Sequence, residues 1–469
     1  MDKPPVARRR SWHPRCKGIA ARCKGTKGTG ILRDLETRAA EQQAGPKPWS
    51  LRPAPLGLRA LTALGAGSLI ASFYIGTGDV TIGTNMGAAF GLRLWWTYFV
   101  LGVAGCALID MSVRYYLRFG KTPMSIFKDV HPAFTIYMFL AVVICATIGS
   151  YNQWSACAMV VTGFFPGVPL EAGGSLAALV ALLFLITGAY KRLERVCVFG
   201  LVALILCFFG SALLAGISWK EAARGLVPNA PGPEWSKHFA SNAGSIINAW
   251  LILIYPYTMI ERGWFAKDPQ GKVNILHRAR IDFTWGILAA GVVALPLLAT
   301  AATVLRPFGI APRHYMDLSI LLEPLAGSWS TYLFLAGLFL AAWTAGVGWW
   351  ICGCYALLDI FNLPIKLDSR PMRVCLALFF IPSSLLLVLR INPVYQMLLF
   401  SAFLSLVFPV IGIVLLYRIT RRDMGYFRWS LRTPQGVVIV IADVFAIALS
   451  IYVGVWLGWA KLGTLFFPQ

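Results

Sequence analysis

Charged residues are scarce in this chain. Lys, Arg, Asp and Glu make up 13 % of the 469 residues, and Asp and Glu together number only 20. Soluble domains are typically about a quarter charged. Hydrophobic residues reach 58 %. This composition excludes a soluble multidomain protein and indicates a chain that lies mostly within a membrane.

Spacings that would hold a metal cofactor or form a catalytic centre are also missing. The ten cysteines are scattered, and Cys352 and Cys354 are separated by a single residue, which is not a zinc-type spacing. Cysteines in apolar segments act as small hydrophobes. No nucleophile–base arrangement or metal triad is visible, so we expect neither an enzyme nor a bound cofactor.

Long apolar segments are abundant. A helix that crosses a bilayer needs about 20 apolar residues, and eleven segments meet this requirement. They lie near 57–90, 94–117, 133–163, 175–190, 196–216, 243–262, 283–305, 329–359, 373–390, 394–417 and 436–460. The sequence therefore predicts an all-α polytopic membrane protein.

The basic residues alternate between the two sides of these segments. With the N-terminus inside, 34 Lys and Arg fall on the cytoplasmic side and 8 elsewhere, which is the positive-inside pattern. This places the C-terminus outside and favours a bacterial inner membrane. Topology explains the formal charge of +22, so nucleic acid is excluded as a partner. The expected partners are the lipid bilayer and a transported ion or solute, with no obligate protein partner.

The spans divide into two halves of five. Residues 1–55 form a basic tail that we expect to be disordered. Residues 56–220 and 221–418 form two repeats, and 419–469 contain the eleventh helix and the C-terminus. An odd number of spans inverts the second repeat, as in many secondary transporters. The predicted fold is a LeuT-type 5+5 inverted repeat with an eleventh transmembrane helix.

The first span contains the sequence Gly76-Thr77-Gly78-Asp79. Glycine allows the chain to leave helical geometry, and unwound backbone at membrane depth is tolerated only beside protein or a water-filled cavity. The freed carbonyls, the Thr77 hydroxyl and Asp79 would be hard oxygen ligands for a cation. The alternative is a kinked helix in which Asp79 only caps the second half.

The sixth span contains Tyr255-Pro256-Tyr257, where proline removes a helical hydrogen bond. We predict the second break here. Ile252 and Tyr255 join Gly76, Thr77 and Asp79 as predicted metal-binding residues. Tyr257 and Glu261 are assigned to a proton pathway or gate, although Glu261 could instead pair with Arg262.

Other polar residues interrupt the apolar spans. Asp110 and Arg114 are four residues apart and share a helix face, either as a structural ion pair or as part of the proton pathway. Asn152 and Gln153 are predicted to line the cavity. Asp443 in the eleventh helix is expected to pair with a neighbour.

The first helix resembles that of the Nramp divalent-metal transporters. That family reads Gly-Pro-Gly, then Asp-Pro-Gly-Asn, then Gly-Ala or Gly-Ser, Phe/Tyr-Gly and Leu-Trp. The corresponding residues are Gly65-Ala66-Gly67-Ser68, Gly76-Thr77-Gly78-Asp79, Gly87-Ala88, Phe90-Gly91 and Leu94-Trp95. Weaker matches are Arg114 through Gly120-Lys121, Tyr255-Pro256-Tyr257 in place of Met-Pro-His, and Leu404 through Pro409.

The departures from the family fall on its ligands. Gly76 replaces the metal-binding aspartate, Asp79 replaces the asparagine, and Tyr255 replaces the methionine that favours soft metals. Ser401 takes a place often held by glutamine and is predicted to line the cavity. The resemblance implies a secondary transporter of a divalent cation, with H⁺ as candidate coupling ion. Without the thioether, a hard ion such as Mn²⁺ or Mg²⁺ is favoured. A transporter of an organic amine or amino-acid-like solute, and a non-transporting membrane sensor, remain as alternatives.

Overall fold

The computed structural model describes residues 76–188, 190–216, 218–232, 235–247, 249–309, 327, 329–389 and 393–458. All of them belong to one compact unit that spans 50–469. The predicted tail 1–55 and the first part of the first span, up to residue 75, lie outside the described residues. The division into repeats at 56–220 and 221–418 stays a prediction.

Every regular element in the described ranges is helical. The α-helices in chain order are α1 (Thr77–Phe90), α2 (Trp96–Phe119), α3 (Ser125–Lys128), α4 (Pro132–Phe164), α5 (Leu170–Ile186), α6 (Tyr190–Ala215), α7 (Trp219–Gly225), α8 (Trp235–Ile246), α9 (Ala249–Glu261), α10 (Pro269–Val304), α11 (Trp329–Ile360), α12 (Arg370–Val388), α13 (Pro393–Thr420) and α14 (Pro434–Ile451). A short π-helical segment, Tyr452–Gly458, extends α14.

Ten of the eleven predicted spans coincide with one of these helices or with its described part, and the sixth is divided between α8 and α9. Within the described ranges, six helices are long and apolar enough to cross a membrane. They are α2, α4, α10, α12, the part of α11 from Phe334 to Ile360, and α14 with its extension to Val455. The fourth predicted span corresponds to α5, a shorter apolar helix.

Three long helices begin with the same local chemistry, a side-chain cap followed within two residues by proline. The carboxylate of Asp268 accepts from the N–H of Gly271 at the start of α10. Ser369 and Thr433 do the same for α12 and α14. Each cap contributes about 1 kcal/mol, and proline suits the first helical turn because no N–H is needed there. These caps fix where the helices begin.

Helices α4 and α11 pack closely because each offers a glycine to a tryptophan of the other. A Cβ atom at Gly149 would lie 2.6 Å from the ring of Trp349, and one at Gly346 would lie 2.7 Å from the ring of Trp154. Small residues allow membrane helices to approach in this way. The close packing fixes the position of Gln153, which is adjacent to Trp154 and belongs to the site described below.

An ion-pair cluster joins α14 to α2. Arg114 Nε lies 2.8 Å from Asp110 Oδ2, and Arg114 Nη2 lies 2.5 Å from Asp443 Oδ2. Trp429 Nε1 also donates to Asp443, at 2.7 Å. The structure thus confirms the predicted Asp110–Arg114 pair and the expected partner for Asp443.

Candidate transport site

Helix α1 begins at the predicted break. Gly76 has an extended backbone, with φ −110° and ψ −172°, and Thr77 is the first helical residue. The side chain of Asp79 folds back and accepts a hydrogen bond from the N–H of Gly76, at 3.2 Å. Asp79 therefore caps the helix, as the alternative interpretation proposed, but this contact involves only one of its oxygens.

The other carboxylate oxygen of Asp79 reaches a different helix. Ser245 Oγ donates to Asp79 Oδ1 at 2.7 Å, and Ser245 is the residue before the last of α8. Asp79 is only 6 % exposed. The start of α1 and the end of α8 thus meet at a buried carboxylate, which is costly within a membrane and marks a functional site.

A third helix contacts the break through Gln153. Its Oε1 atom accepts a hydrogen bond from the N–H of Thr77, at 3.1 Å, and satisfies one of the first amides of α1. Gln153 is 3 % exposed and Asn152 is fully buried. The structure therefore brings Gln153 to the break, whereas Asn152 lies beside it in α4.

Three buried hydroxyl groups near this point have no hydrogen-bond partner among the described residues. They belong to Thr77, Thr81 and Tyr98. The Tyr98 hydroxyl packs against Gly83, four residues after Asp79, and lies within electrostatic reach of Asp79. An unsatisfied buried hydroxyl costs about 1–3 kcal/mol, which a bound ion or water would recover.

The second break is not where the sequence placed it. Helix α8 ends at Ile246 and α9 begins at Ala249, whereas Pro256 lies inside α9. Pro256 lacks the N–H that would bond to the carbonyl of Ile252, and membrane helices tolerate this loss because neighbouring helices and hydroxyl groups can satisfy the freed backbone. The predicted break at 255–257 is therefore wrong, and the interruption lies about eight residues earlier.

The two tyrosines beside Pro256 contact other helices. Tyr255 donates to Asp282 at 3.0 Å and to the carbonyl of Ala279 at 3.2 Å, both on α10. Tyr257 donates to Asp359 of α11 at 2.6 Å. The ligand role predicted for Ile252 and Tyr255 assumed a break at this point, so it loses its structural basis. Ser401 lies in α13, but its side chain is outside the described residues.

Glu261, at the end of α9, accepts hydrogen bonds from two neutral donors. It accepts from the hydroxyl of Tyr355 at 2.8 Å and from the N–H of Leu367 at 2.5 Å. Together with Tyr257–Asp359, this contact fastens α9 to α11. We call the Tyr257–Asp359 and Glu261–Tyr355 contacts the α9–α11 latch.

The predicted site residues do not include Ser245, Asp282 or Asp359. Ser245 had a recognisable signal, since Gly244, Ser245 and Asn248 form a small polar cluster in an apolar run. Asp359 lies at the end of α11 and Asp282 lies just before the predicted span 283–305, although the structure places it well inside α10. Both positions resemble loop boundaries in the sequence, and nothing local marks their partners.

Only a glycine fits at position 76, at the start of the break, because α11 occupies the space where a side chain would lie. A Cβ atom there would lie 2.9 Å from Ala345 Cβ and 3.1 Å from Gln153 Nε2. We expect Gly76→Asp, which restores the aspartate of the resembling family, to lower the thermal unfolding temperature. Adding Ala345→Gly should recover most of the loss. Gly167→Asp is the control, since nothing lies within 4 Å of that position. An unchanged unfolding temperature in Gly76→Asp would contradict the packing argument.

Within the described part of the chain, no three His, Cys, Asp or Glu side chains come together. The site at the break therefore offers one carboxylate, three hydroxyls without partners, the Ser245 hydroxyl, the Gln153 amide and backbone groups. Such a donor set suits an ion that passes through with part of its water.

Comparison with known proteins identifies the family. Residues 67–455 match the family model Nramp, natural resistance-associated macrophage protein-like. The divalent metal cation transporter MntH of Acidiphilium cryptum is 23 % identical over 358 residues, which cover 75 % of this chain and 80 % of that protein. MntH of Burkholderia ambifaria is 24 % identical over 413 residues, 85 % of this chain and 90 % of that protein.

Solved structures show the same fold. A manganese transporter of Eremococcus coleocola superposes with a TM-score of 0.70 at 16 % identity, covering 90 % of this chain and 91 % of that one. The nucleobase-cation-symport-1 family transporter MHP1 superposes with a TM-score of 0.59 at 13 % identity, covering 87 % and 93 %. The predicted LeuT-type fold, the multi-pass membrane location and the exclusion of an enzyme are confirmed. The chain belongs to the Nramp family of divalent-metal transporters.

Proposed function

We propose that this protein carries a hard divalent cation, such as Mn²⁺ or Mg²⁺, through a site centred on Asp79. The observation that supports this most directly is the meeting of the two interrupted helices at one buried carboxylate, with Ser245 of α8 bound to Asp79 of α1. Rocking of these helices against the others would expose the site to each side in turn.

The choice of a hard ion rests on the donors. Ser245 bonds to Asp79, and Gln153 bonds to the amide of Thr77. Both side chains make these contacts through oxygen. Oxygen ligands suit Mg²⁺ and Mn²⁺, whereas softer ions are favoured by sulfur or imidazole. Because the protein supplies few charged ligands at this site, the ion would keep several of its water molecules, as Mg²⁺ usually does.

Asp79 is also our candidate for proton coupling. It is the carboxylate at the break, so a proton and the metal ion would compete for the same oxygens. Glu261 would take up a proton only when the α9–α11 latch opens, because the hydroxyl of Tyr355 and the N–H of Leu367 otherwise donate hydrogen bonds to its carboxylate. Asp110 and Arg114 serve as a structural ion pair.

We place the N-terminus in the cytoplasm and the C-terminus outside, in a bacterial inner membrane. The distribution of Lys and Arg supports this orientation, and the named relatives above are bacterial. The caps of α10, α12 and α14 then lie on the cytoplasmic side.

Ion choice and proton coupling are testable together in proteoliposomes that contain a pH-sensitive dye. We expect uptake of Mn²⁺ or Mg²⁺ to exceed that of Cd²⁺ about tenfold, because the site lacks a soft ligand. Metal entry should change the internal pH only when protein is present, with protein-free vesicles as the control. Uptake of Cd²⁺ faster than Mn²⁺ would contradict the proposed hard-ion site.

An organic amine is the second candidate cargo. A single buried carboxylate with hydroxyl neighbours would bind an ammonium group, and the fold is shared with MHP1. Thermal stabilisation by small amines and not by Mn²⁺ would favour this cargo over a metal ion.

A further inference from the structure

A cavity of about 340 Å³ runs between α2, α10 and α14 on the outer surface of the helix bundle. Its walls are mainly apolar and include Tyr98, Val103, Phe283, Leu288 and Ile439. Val103 is 53 % exposed and Leu288 is 39 % exposed, so the cavity opens sideways. We call it the α2–α14 groove. In a membrane its open side faces lipid.

The groove is long, and its walls carry few polar groups. Tyr98 and Asp110 both line it, and their separation of twelve positions on α2 corresponds to about 18 Å along the helix axis. That length suits an extended hydrocarbon chain. The walls offer too few polar groups for a sugar or a peptide.

One end of the groove is charged. Asp110 and Asp443 line it there together with Arg280. Arg280 Nε and Nη2 lie 2.7 Å and 3.1 Å from the two oxygens of Asp110. Arg114 binds Asp110 and Asp443 from the other side. The two carboxylates are thus matched by two guanidinium groups.

These four charges differ in their exposure. The side chain of Arg280 is 29 % exposed, whereas those of Asp110, Arg114 and Asp443 are 9 %, 4 % and 1 % exposed. The charge that the cluster presents to the groove is therefore positive. A guanidinium has five N–H donors, and the two bonds to Asp110 leave the Nη1 edge for a phosphate, which arginine binds well.

We propose that the α2–α14 groove binds a membrane phospholipid with an anionic headgroup. One acyl chain lies along α2 from Asp110 towards Tyr98, and the phosphate contacts Arg280. The exposed arginines Arg428 and Arg432 precede α14, on the side where the charge pattern concentrates cations, and would attract the same headgroup. The bound lipid fills the space between α14 and the helices that surround the transport site.

Native mass spectrometry of the intact chain, with phosphatidylglycerol, phosphatidylcholine or oleate added in neutral detergent, tests this site. Val103→Trp fills the groove from its rim. Leu140→Trp is the matched control, because Leu140 is also 53 % exposed but lies on α4, away from the groove. We expect one phosphatidylglycerol to be retained by the wild type and by Leu140→Trp, and at least fivefold less by Val103→Trp.

Equal retention by Val103→Trp and Leu140→Trp would overturn the location of the site. Equal retention of phosphatidylcholine, or retention of oleate in place of phosphatidylglycerol, would overturn the recognition of a phospholipid headgroup. Arg280→Lys keeps a cation beside Asp110 but removes the forked donor. We expect this variant to lose the preference for phosphatidylglycerol while its metal uptake persists, which separates lipid binding from transport.

Discussion

Asp79→Asn is expected to reduce divalent-cation uptake at least a hundredfold while the chain still folds. Asparagine keeps one oxygen that can accept from the N–H of Gly76, and its NH2 group can donate to the Ser245 hydroxyl, so both local contacts can persist with the Ser245 bond reversed. What disappears is the negative charge at the meeting point of α1 and α8. Removing one partner from a buried charge pair costs about 3–5 kcal/mol, and each 1.4 kcal/mol is about a tenfold change in affinity.

Ser245→Ala provides a graded comparison for the same measurement. It removes one hydrogen bond to Asp79 and leaves the charge, so a decrease of about tenfold is expected from a loss of about 1.5 kcal/mol, the lower value for a hydrogen bond to a charged group. Asp282→Asn is the control for a buried aspartate elsewhere, since Asp282 is 3 % exposed and binds Tyr255 of α9. Uptake by Asp79→Asn within twofold of the wild type, at equal amounts of folded protein, would refute the proposed site.

The first break could be predicted from sequence because its causes are local. Gly76 takes the extended backbone at the start of α1, and Asp79 lies at the right distance to cap the helix that follows. The partner of Asp79 could not be predicted in the same way. Ser245 lies 166 residues away, and only the packed helices bring the two side chains together.

The second break shows where a local rule fails. Proline predicts an interruption in a soluble helix, but inside this bundle α9 continues through Pro256, as membrane helices can when neighbouring groups satisfy the freed backbone. The true interruption follows Ser245 and has no proline. The pairing of Asp110 with Arg114 was recognised because they are four residues apart, whereas the contact of Arg114 with Asp443 spans 329 residues.

Asp359→Ala is expected to loosen the α9–α11 latch and to expose the cytoplasmic half of the pathway. Asp359 accepts from Tyr257 at 2.6 Å, from Thr122 at 2.5 Å and from the N–H of Met124 at 2.9 Å. The substitution leaves three donors without an acceptor, and each buried unsatisfied group costs about 1–3 kcal/mol. Helix α9 begins just after the interruption, so it would swing about that point more easily once the Tyr257–Asp359 contact no longer holds it to α11.

Cys352 is a native reporter of this motion. It lies on α11, is 2 % exposed, and is within electrostatic reach of the Tyr257 hydroxyl. We expect its labelling by a maleimide, followed by peptide mass spectrometry, to become at least tenfold faster in Asp359→Ala. Tyr257→Phe, which removes only the hydroxyl, should have a smaller effect in the same direction.

Tyr115→Phe is the matched control for the latch. Its hydroxyl also donates to a carboxylate, that of Asp129 at 2.7 Å, but this contact does not involve α9 or α11. Labelling of Cys352 should therefore stay at the wild-type rate in Tyr115→Phe. If Asp359→Ala and Tyr115→Phe were labelled equally fast, α9 would not be the moving element, and access to Asp79 from the cytoplasm would have to open through other helices.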